Sequence, residues 1–491
     1  MKMSTTAPAQ VEETLDPEDW SALRALGHQM VEDMLSYLEN VRERPCWQAL
    51  PPEVHASFSK PLPGKPQGAE SAYQDFKENV LPFPCGNIHP RFWGWVHGTG
   101  TAGGMLADML ASGMNSNVVG GDHAAVYVEY QVLSWLKEAL GYPAEASGVL
   151  VSGGSMANFV GLAVARNSQA GWDVKRAGLA NSQPLVMYGS TETHNCVQRA
   201  VEALGLGTEG LHYVQTDDDF RINVPALKQA VEEDRKCGKI PVCVVGNAGT
   251  VNTGAIDDLS ALADFCRTEK LWFHVDGAFG AMAAISPQLR PLLRGMERAD
   301  SLAFDLHKWM YMPYDVGCVF VRSEEKHRAT FSVSASYLDK QTRGAGGGPT
   351  WFKEYGLELS RGARALKAWF SLKEHGQERF QRQVQQNVAQ AKYLTELIEA
   401  DERVELLAPV PLNVVCFRFR NGLGDEKTLT ALNQEILLRL QESGVAAPSS
   451  TTLGGRFAIR VANVNHRSRR EDFEYLLREV IRIGEEIAPS I

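Results

Sequence analysis

From Asp16 to Arg44 the apolar residues Trp20, Leu23, Met30, Val31, Met34, Leu35 and Leu38 recur at roughly helical spacing, which predicts an amphipathic helix. Pro51, Pro52, Pro61, Pro63 and Pro66 then interrupt any regular element. A helix followed by a proline-rich strap is a poor core by itself. Its apolar face is expected to pack on another domain or subunit, and residues 1–90 are read as an N-terminal helical dimerisation segment.

Beyond it, short apolar runs alternate with helical patterns. Gly148–Val151 reads as a strand and Ser155–Arg166 as a helix; Pro184–Tyr188 is the next strand, followed by a helix near His194–Leu204. Further strands fit Leu211–Val214, Ile240–Val245, Leu271–Val275, Ser301–Phe304 and Cys318–Val321. Runs this apolar, separated by helices, imply an α/β fold with a mostly parallel central sheet covered on both faces. After Arg361 a helical stretch runs to about Ala400. Then come Val414–Phe419, a helix over Leu429–Ser443, the strand Phe457–Val461 and a helix over Arg470–Glu485, the pattern of a small α+β domain. The expected division is 1–90, a large domain at 91–375 and a small C-terminal domain at 376–491.

The 491 residues suffice for a large core, and 44% hydrophobic with 22% charged residues is ordinary for a folded globular chain. A net charge of −10 disfavours nucleic acid and anionic membranes as partners and favours a small molecule. The eight cysteines form no C-x-x-C pair and no zinc-finger cluster, so reduced thiols in a cytoplasmic protein without metal are expected. No signal-peptide core opens the chain and no apolar run approaches spanning length, so membrane association is not expected.

In such sheets sites lie at the carboxyl ends of strands, where this chain places Ser152-Gly153-Gly154-Ser155, Asn247–Thr250, Asp276 and Lys308. Lys308, in Asp305-Leu306-His307-Lys308-Trp309, follows Asp276 by 32 positions. A lysine alone is most often a surface residue. A lysine amine together with a buried carboxylate is what pyridoxal 5'-phosphate requires: the amine forms a Schiff base with its aldehyde, and the carboxylate keeps the pyridine nitrogen protonated. The Gly-Gly-Ser turn is either an ordinary serine-capped turn or a phosphate cradle of backbone N–H groups at a helix start, and Lys308 with Asp276 favours the second. His194 either caps the next helix or stacks on a flat ring. Asn247 and Thr250 bond a ring hydroxyl or their own loop.

These residues carry a resemblance to the group II pyridoxal-phosphate-dependent amino-acid decarboxylases, aromatic-L-amino-acid decarboxylase-like. The His-Lys-Trp tripeptide with Asp276 at its spacing is the specific signal. His89-Pro90-Arg91-Phe92-Trp93, Leu106-Ala107-Asp108-Met109-Leu110 and Phe457-Ala458-Ile459-Arg460-Val461 extend the likeness over most of the chain. The resemblance implies fold type I, the aspartate aminotransferase-like fold, and a homodimer with shared active sites. It also implies roles: Lys308 holds the cofactor, Asp276 pairs with its ring nitrogen, Ala278 and His194 flank the ring, Gly154 and Ser155 hold the phosphate, and His307 helps place cofactor and substrate; Thr250, read from its own loop, is counted with the cofactor-binding residues. Tyr337, 29 residues after Lys308, matches a mobile-loop tyrosine that protonates the substrate α-carbon. Aldehyde-forming members typically carry phenylalanine there, so the tyrosine favours simple amine formation.

The substrate is expected to be an L-amino acid, first of all an aromatic one. Trp93 and Trp95 either pack on its side chain or belong to a core; Asn115, Asn117, Asp122 and His123 would suit a polar or charged side chain instead. An acidic, basic or imidazole substrate therefore stays open, as does oxidative deamination to an aldehyde. A cofactor-binding but non-catalytic protein is disfavoured by the complete set Lys308, Asp276, His194 and Tyr337.

Overall fold

Helices here start where a short polar side chain satisfies the first free amides: Asp19, Thr101, Asn223, Asp258 and Asp425 each accept a backbone N–H of the turn that follows. The computed structural model describes residues 13–180, 182–333, 341–420, 422 and 425–490. The chain forms two units, one of the described residues of Met1–Arg44 with Ala49–Pro84 and one of Pro45–Gln48 with the described residues of Cys85–Ile491.

The first unit holds α1 (Trp20–Glu39), α2 (Pro52–Ser57) and α3 (Ala69–Asp75), with Tyr73 Oη donating to Asp33 Oδ2 at 2.7 Å. The helix spans the whole apolar pattern from Trp20 to Leu38 but not the full Asp16–Arg44 segment, because Asp19 caps it and a separate turn over Val41–Glu43 follows. Trp20 and Leu23 remain exposed.

In the second unit the short β1 (Phe92–Trp93) leads to α4 (Ala102–Met114) and α5 (Ala124–Leu140), which the apolar runs did not resolve. Then follow β2 (Ser147–Val151), α6 (Gly154–Gln169), α7 (Val174–Ala177), β3 (Leu185–Ser190), α8 (Asn195–Ala203), β4 (Leu211–Val214), α9 (Val224–Lys236), β5 (Ile240–Asn247), α10 (Leu259–Glu269), β6 (Trp272–Asp276), β7 (Ser301–Asp305), α11 (Leu306–Trp309), β8 (Gly317–Val321) and α12 (Glu324–Phe331). The seven strands form one sheet in the order β2-β8-β7-β6-β5-β3-β4. It is parallel from β7 through β4, whereas β8 runs antiparallel between β2 and β7. The 11 residues from Leu306 to Val316 are too few for a full crossover.

The chain closes with α13 (Ala365–Glu399), β9 (Val404–Leu406), β10 (Val414–Phe419), α14 (Glu426–Glu442), β11 (Ala447–Leu453), β12 (Arg456–Ala462) and α15 (Arg470–Ile487). The expected continuous helix after Arg361 is broken: Gly376 inside α13 takes φ 67° and ψ 159°. A five-stranded sheet, β1-β11-β12-β10-β9, packs its own core of Phe417, Ile436, Ile459 and Phe473. Among the described residues no helix is long and apolar enough to cross a membrane.

Candidate active site

Strands β2, β3, β5, β6 and β7 run in one direction apart from β2's reversed neighbour, and their carboxyl ends deliver Gly154, His194, Asn247, Asp276 and Asp305 to one cavity of about 600 Å³. Lys308 enters it from the single turn of α11, where its side chain is 23% accessible. Its Nζ lies 3.0 Å from Oδ2 of Asp305, three residues back and 1% exposed. Burial pulls the Lys308 ammonium down, but the charge and hydrogen bond of Asp305, helped by Asp276, outweigh it, and the amine is held above its ordinary range. The motif alone assigns Asp305 no role, although its spacing of three from Lys308 on one helical turn is the sequence signal for this pair.

Asp276 ends β6, buried, with Oδ1 accepting the Ala278 N–H at 3.0 Å and the Cys196 thiol 4.0 Å from Oδ2. His194 is the N-cap of α8: its Nδ1 accepts the Cys196 N–H at 3.2 Å, which leaves the ring proton on Nε2. Burial lowers its pKa, the pull of Asp276 notwithstanding, so the ring is neutral at pH 7. It caps the helix and also lines the cavity.

His307 accepts the Val316 N–H on Nδ1 at 3.1 Å, packs against Tyr314 at 4.3 Å and turns Nε2 toward Asp305 Oδ2 at 3.8 Å. Burial lowers its pKa as well. Gly154 opens α6 where a side chain has no room: a Cβ would sit 2.8 Å from Asp305 Oδ2. Ser155 is exposed to the cavity on the same first turn, and Ala278 is half-buried in its wall.

A buried relay fixes that turn against β6. Asn158 donates Nδ2–H to Gly154 O at 2.9 Å and to Cys196 Sγ at 3.4 Å, so its Oδ1 accepts from His274 Nε2 at 2.7 Å. His274 Nδ1 then accepts the Ser301 hydroxyl at 2.7 Å, and Ser301 Oγ accepts Trp272 Nε1–H at 2.8 Å. None of these four residues was singled out from the sequence.

Some expected residues lie elsewhere. Thr250 does not line the cavity: its Oγ1 meets Thr253 Oγ1 at 3.0 Å and accepts the Ala255 N–H at 3.1 Å, so it closes its own loop. Asn247 does line it, though its amide is directed to Asp257, Ser190 and Thr193. Trp93 is core, 1% exposed, stacked on Phe473 at 4.8 Å and donating to Ser468 Oγ. Trp95, 58% exposed, lines the cavity. Asn115, Asn117, Asp122 and His123 are outside it: Asn117 Oδ1 accepts from Val119 and Arg361, Asp122 accepts from Tyr127, and Asn115 and His123 flank helix ends. Tyr337 lies outside the described residues.

Arg460, missed as a site residue, reaches in from β12. It donates Nη1 to Trp95 O at 2.7 Å and Nε to Asn252 O at 3.1 Å, with Nη2 on Val251 O. Burial lowers its pKa, and no carboxylate pairs with it among the described residues.

The residues present fit pyridoxal phosphate. An accessible amine faces a buried carboxylate across one cavity, two histidines stay neutral beside them, and a helix start that excludes a Cβ offers free amides to an anion. Residues 51–420 match the model of the pyridoxal-dependent decarboxylase conserved domain.

The chain belongs to the pyridoxal-dependent decarboxylases.

The decarboxylase is 34% identical over 475 residues to an aromatic-L-amino-acid decarboxylase of Bacillus atrophaeus, covering 95% of this chain and 96% of that one. It is 28% identical to a phenylacetaldehyde synthase of Arabidopsis thaliana, covering 91% of this chain and 93% of that one. Among solved structures, the Oryza sativa TDC with PLP and tryptamine superposes with a TM-score of 0.89 at 26% identity, over 96% of this chain and all of that chain. The decarboxylase is thus a PLP-dependent lyase of fold type I that removes the carboxyl group of an amino acid.

Proposed function

We propose that the decarboxylase acts on an aromatic L-amino acid and releases carbon dioxide and the corresponding amine. The observation that carries this is the lining of the cavity. Its acids among the described residues are Asp276, assigned here to the ring nitrogen, and Asp305, 1% exposed and 3.0 Å from Lys308 Nζ, so neither is offered to a basic side chain. Its one cation besides Lys308 is Arg460, enough for an α-carboxylate and not for a second, side-chain carboxylate. The exposed indole of Trp95 offers a flat apolar surface. The likeness to the Bacillus atrophaeus protein supports the same class.

Bound pyridoxal phosphate supplies an electron sink for the pair left when the Cα–carboxylate bond breaks. With the cofactor bound, the Lys308 amine would hold it and Asp276 would keep a proton on the pyridine nitrogen. Gly154 and Ser155 bind the phosphate through first-turn amides and the serine hydroxyl. His194 and Ala278 confine the ring, and His307 positions the substrate. Arg460, with one Nη2 N–H left beyond its bonds to Trp95, Ser449, Val251 and Asn252, would receive an oxygen of the α-carboxylate, and Tyr337 would deliver the proton to the α-carbon.

The site is proposed to work in a homodimer. Met109, Leu110 and Met114 of α4 are exposed, as are Leu357 and Leu359, and Asn117, three residues after α4, donates to Leu359 O at 3.4 Å. The divisions at 90/91 and 375/376 are proposed as domain boundaries, the second supported by the break at Gly376. A cytoplasmic location fits eight unpaired cysteines.

A second reading, oxidative deamination to an aldehyde, draws on the likeness to the Arabidopsis thaliana protein; the presence of Tyr337 weighs against it. Mass spectrometry of products from each L-amino acid, with a peroxide assay alongside, separates the two. Amine from aromatic substrates is the expected result; aldehyde, ammonia and peroxide would replace it with the second reading. Tyr337→Phe is expected to shift product from amine toward aldehyde, and unchanged amine output would remove the role given to Tyr337.

A further inference from the structure

His97 is a cavity-lining imidazole that the reaction above does not use. Its neighbour Gly98 is clamped to the backbone carrying the reactive lysine: a Cβ at 98 would lie 1.8 Å from His307 O and 2.7 Å from Lys308 O. The position of His97 beside Lys308 is thereby set by the fold. The ring is stacked on Phe92 (centroids 6.0 Å apart, planes at 10°), lies 5.2 Å from the Trp95 ring and meets the edge of Tyr314 at 6.3 Å. It is an aromatic wall with polar atoms.

Those atoms are differentiated. Nδ1 is 3.8 Å from Cys85 Sγ, whereas Nε2 makes no hydrogen bond among the described residues. Burial, with the charge of Lys308, keeps the ring neutral, and burial keeps Cys85 a thiol. A thiol donating to Nδ1 places the ring proton on Nε2, which is then a free donor beside the Trp95 surface.

We propose that His97 Nε2–H donates to a hydroxyl on the substrate's ring, so that the decarboxylase prefers phenolic amino acids to phenyl and indole ones. This rests on the aromatic reading given above and narrows it. A phenol oxygen accepts from Nε2–H. A phenyl ring leaves that donor desolvated and unmet, and an indole presents only another donor. A site built to bond a hydroxyl discriminates against its absence far more strongly than an apolar pocket discriminates by size.

The test uses the PLP-loaded enzyme with tyrosine, phenylalanine and tryptophan, and compares tyramine with phenethylamine binding by calorimetry as a readout free of turnover. The wild type is expected to favour tyrosine over phenylalanine in kcat/KM by about tenfold or more, with tyramine bound more tightly by a similar factor. His97→Phe keeps the stacking surface and should bring both ratios to within about twofold, chiefly by loss on the phenolic ligand. His97→Gln keeps an N–H donor and should restore part of the preference. Equal losses on tyrosine and phenylalanine, or retention of the preference in His97→Phe, would overturn the assignment. Aromatic turnover with no preference for the hydroxyl overturns this inference alone, whereas amine only from acidic or basic amino acids overturns the aromatic reading and this inference together.

Discussion

Asp305 Oδ2 and Lys308 Nζ stand 3.0 Å apart, and Oδ1 of the same buried carboxylate has no hydrogen-bond partner among the described residues. Breaking an ion pair buried on one side leaves the carboxylate uncompensated, so the ammonium is held until the amine is needed. Asp305→Asn removes the main influence that raises the Lys308 pKa. The borohydride-trapped attachment of PLP to Lys308 should then reach half-maximum at lower pH than in the wild type. Mass spectrometry of the reduced peptide over a pH series measures this; an unshifted profile would mean that Asp305 does not govern the amine. Lys308→Ala should abolish trapping, and a retained adduct would locate the attachment elsewhere.

The relay through Asn158 and His274 predicts a coupled loss. Asn158→Leu strands the His274 Nε2–H and frees the turn at Gly154. Leaving one buried donor unmet costs about 1–3 kcal/mol. Urea unfolding should report that loss, and PLP affinity should fall with it; undiminished PLP affinity would separate the relay from the cofactor site.

Trp93 and Trp95, two residues apart, should respond oppositely to alanine. Trp93→Ala empties the core against Phe473 and should cost about 3–5 kcal/mol in unfolding free energy. Trp95→Ala should leave stability within about 1 kcal/mol and raise KM for the aromatic substrate. A Trp95 variant with unchanged KM would take its indole out of the substrate pocket.

Acid should destabilise the fold below neutral pH. Burial pushes His274 down to about 4 and His327 down to about 3, against an ordinary 6.5. As pH falls through 6.5 the unfolded chain takes up protons that the folded one refuses, so each contributes stability that is present above 6.5 and diminishes below it. By pH 5 each accounts for a loss of about 2 kcal/mol. Asp257 works the other way: burial raises it to about 6, so from pH 7 to 5 the folded carboxyl gains its proton first and adds about 1 kcal/mol. Urea midpoints at pH 7 and pH 5 should show a net fall, and a flat or rising profile would contradict this balance.

The apolar runs predicted the strands because those strands are buried on both faces, which leaves a local signature independent of any partner. The positions of Asp276 and Lys308 just after two such runs therefore followed from the chain alone, as did a helix read from Ser155, one residue inside the observed start at Gly154. Partnership across the fold is different, because no periodicity records which distant segment fills the other side of a cavity. The antiparallel insertion of β8, the closure of Thr250 on its own loop and the assignment of Trp93 to core and Trp95 to cavity came from tertiary packing. So did the arrival of Arg460 at the backbone of Trp95, 365 positions away. Local pattern determined which residues lie at strand ends; long-range packing decided which of them share one cavity and which polar atoms remain free to meet a ligand.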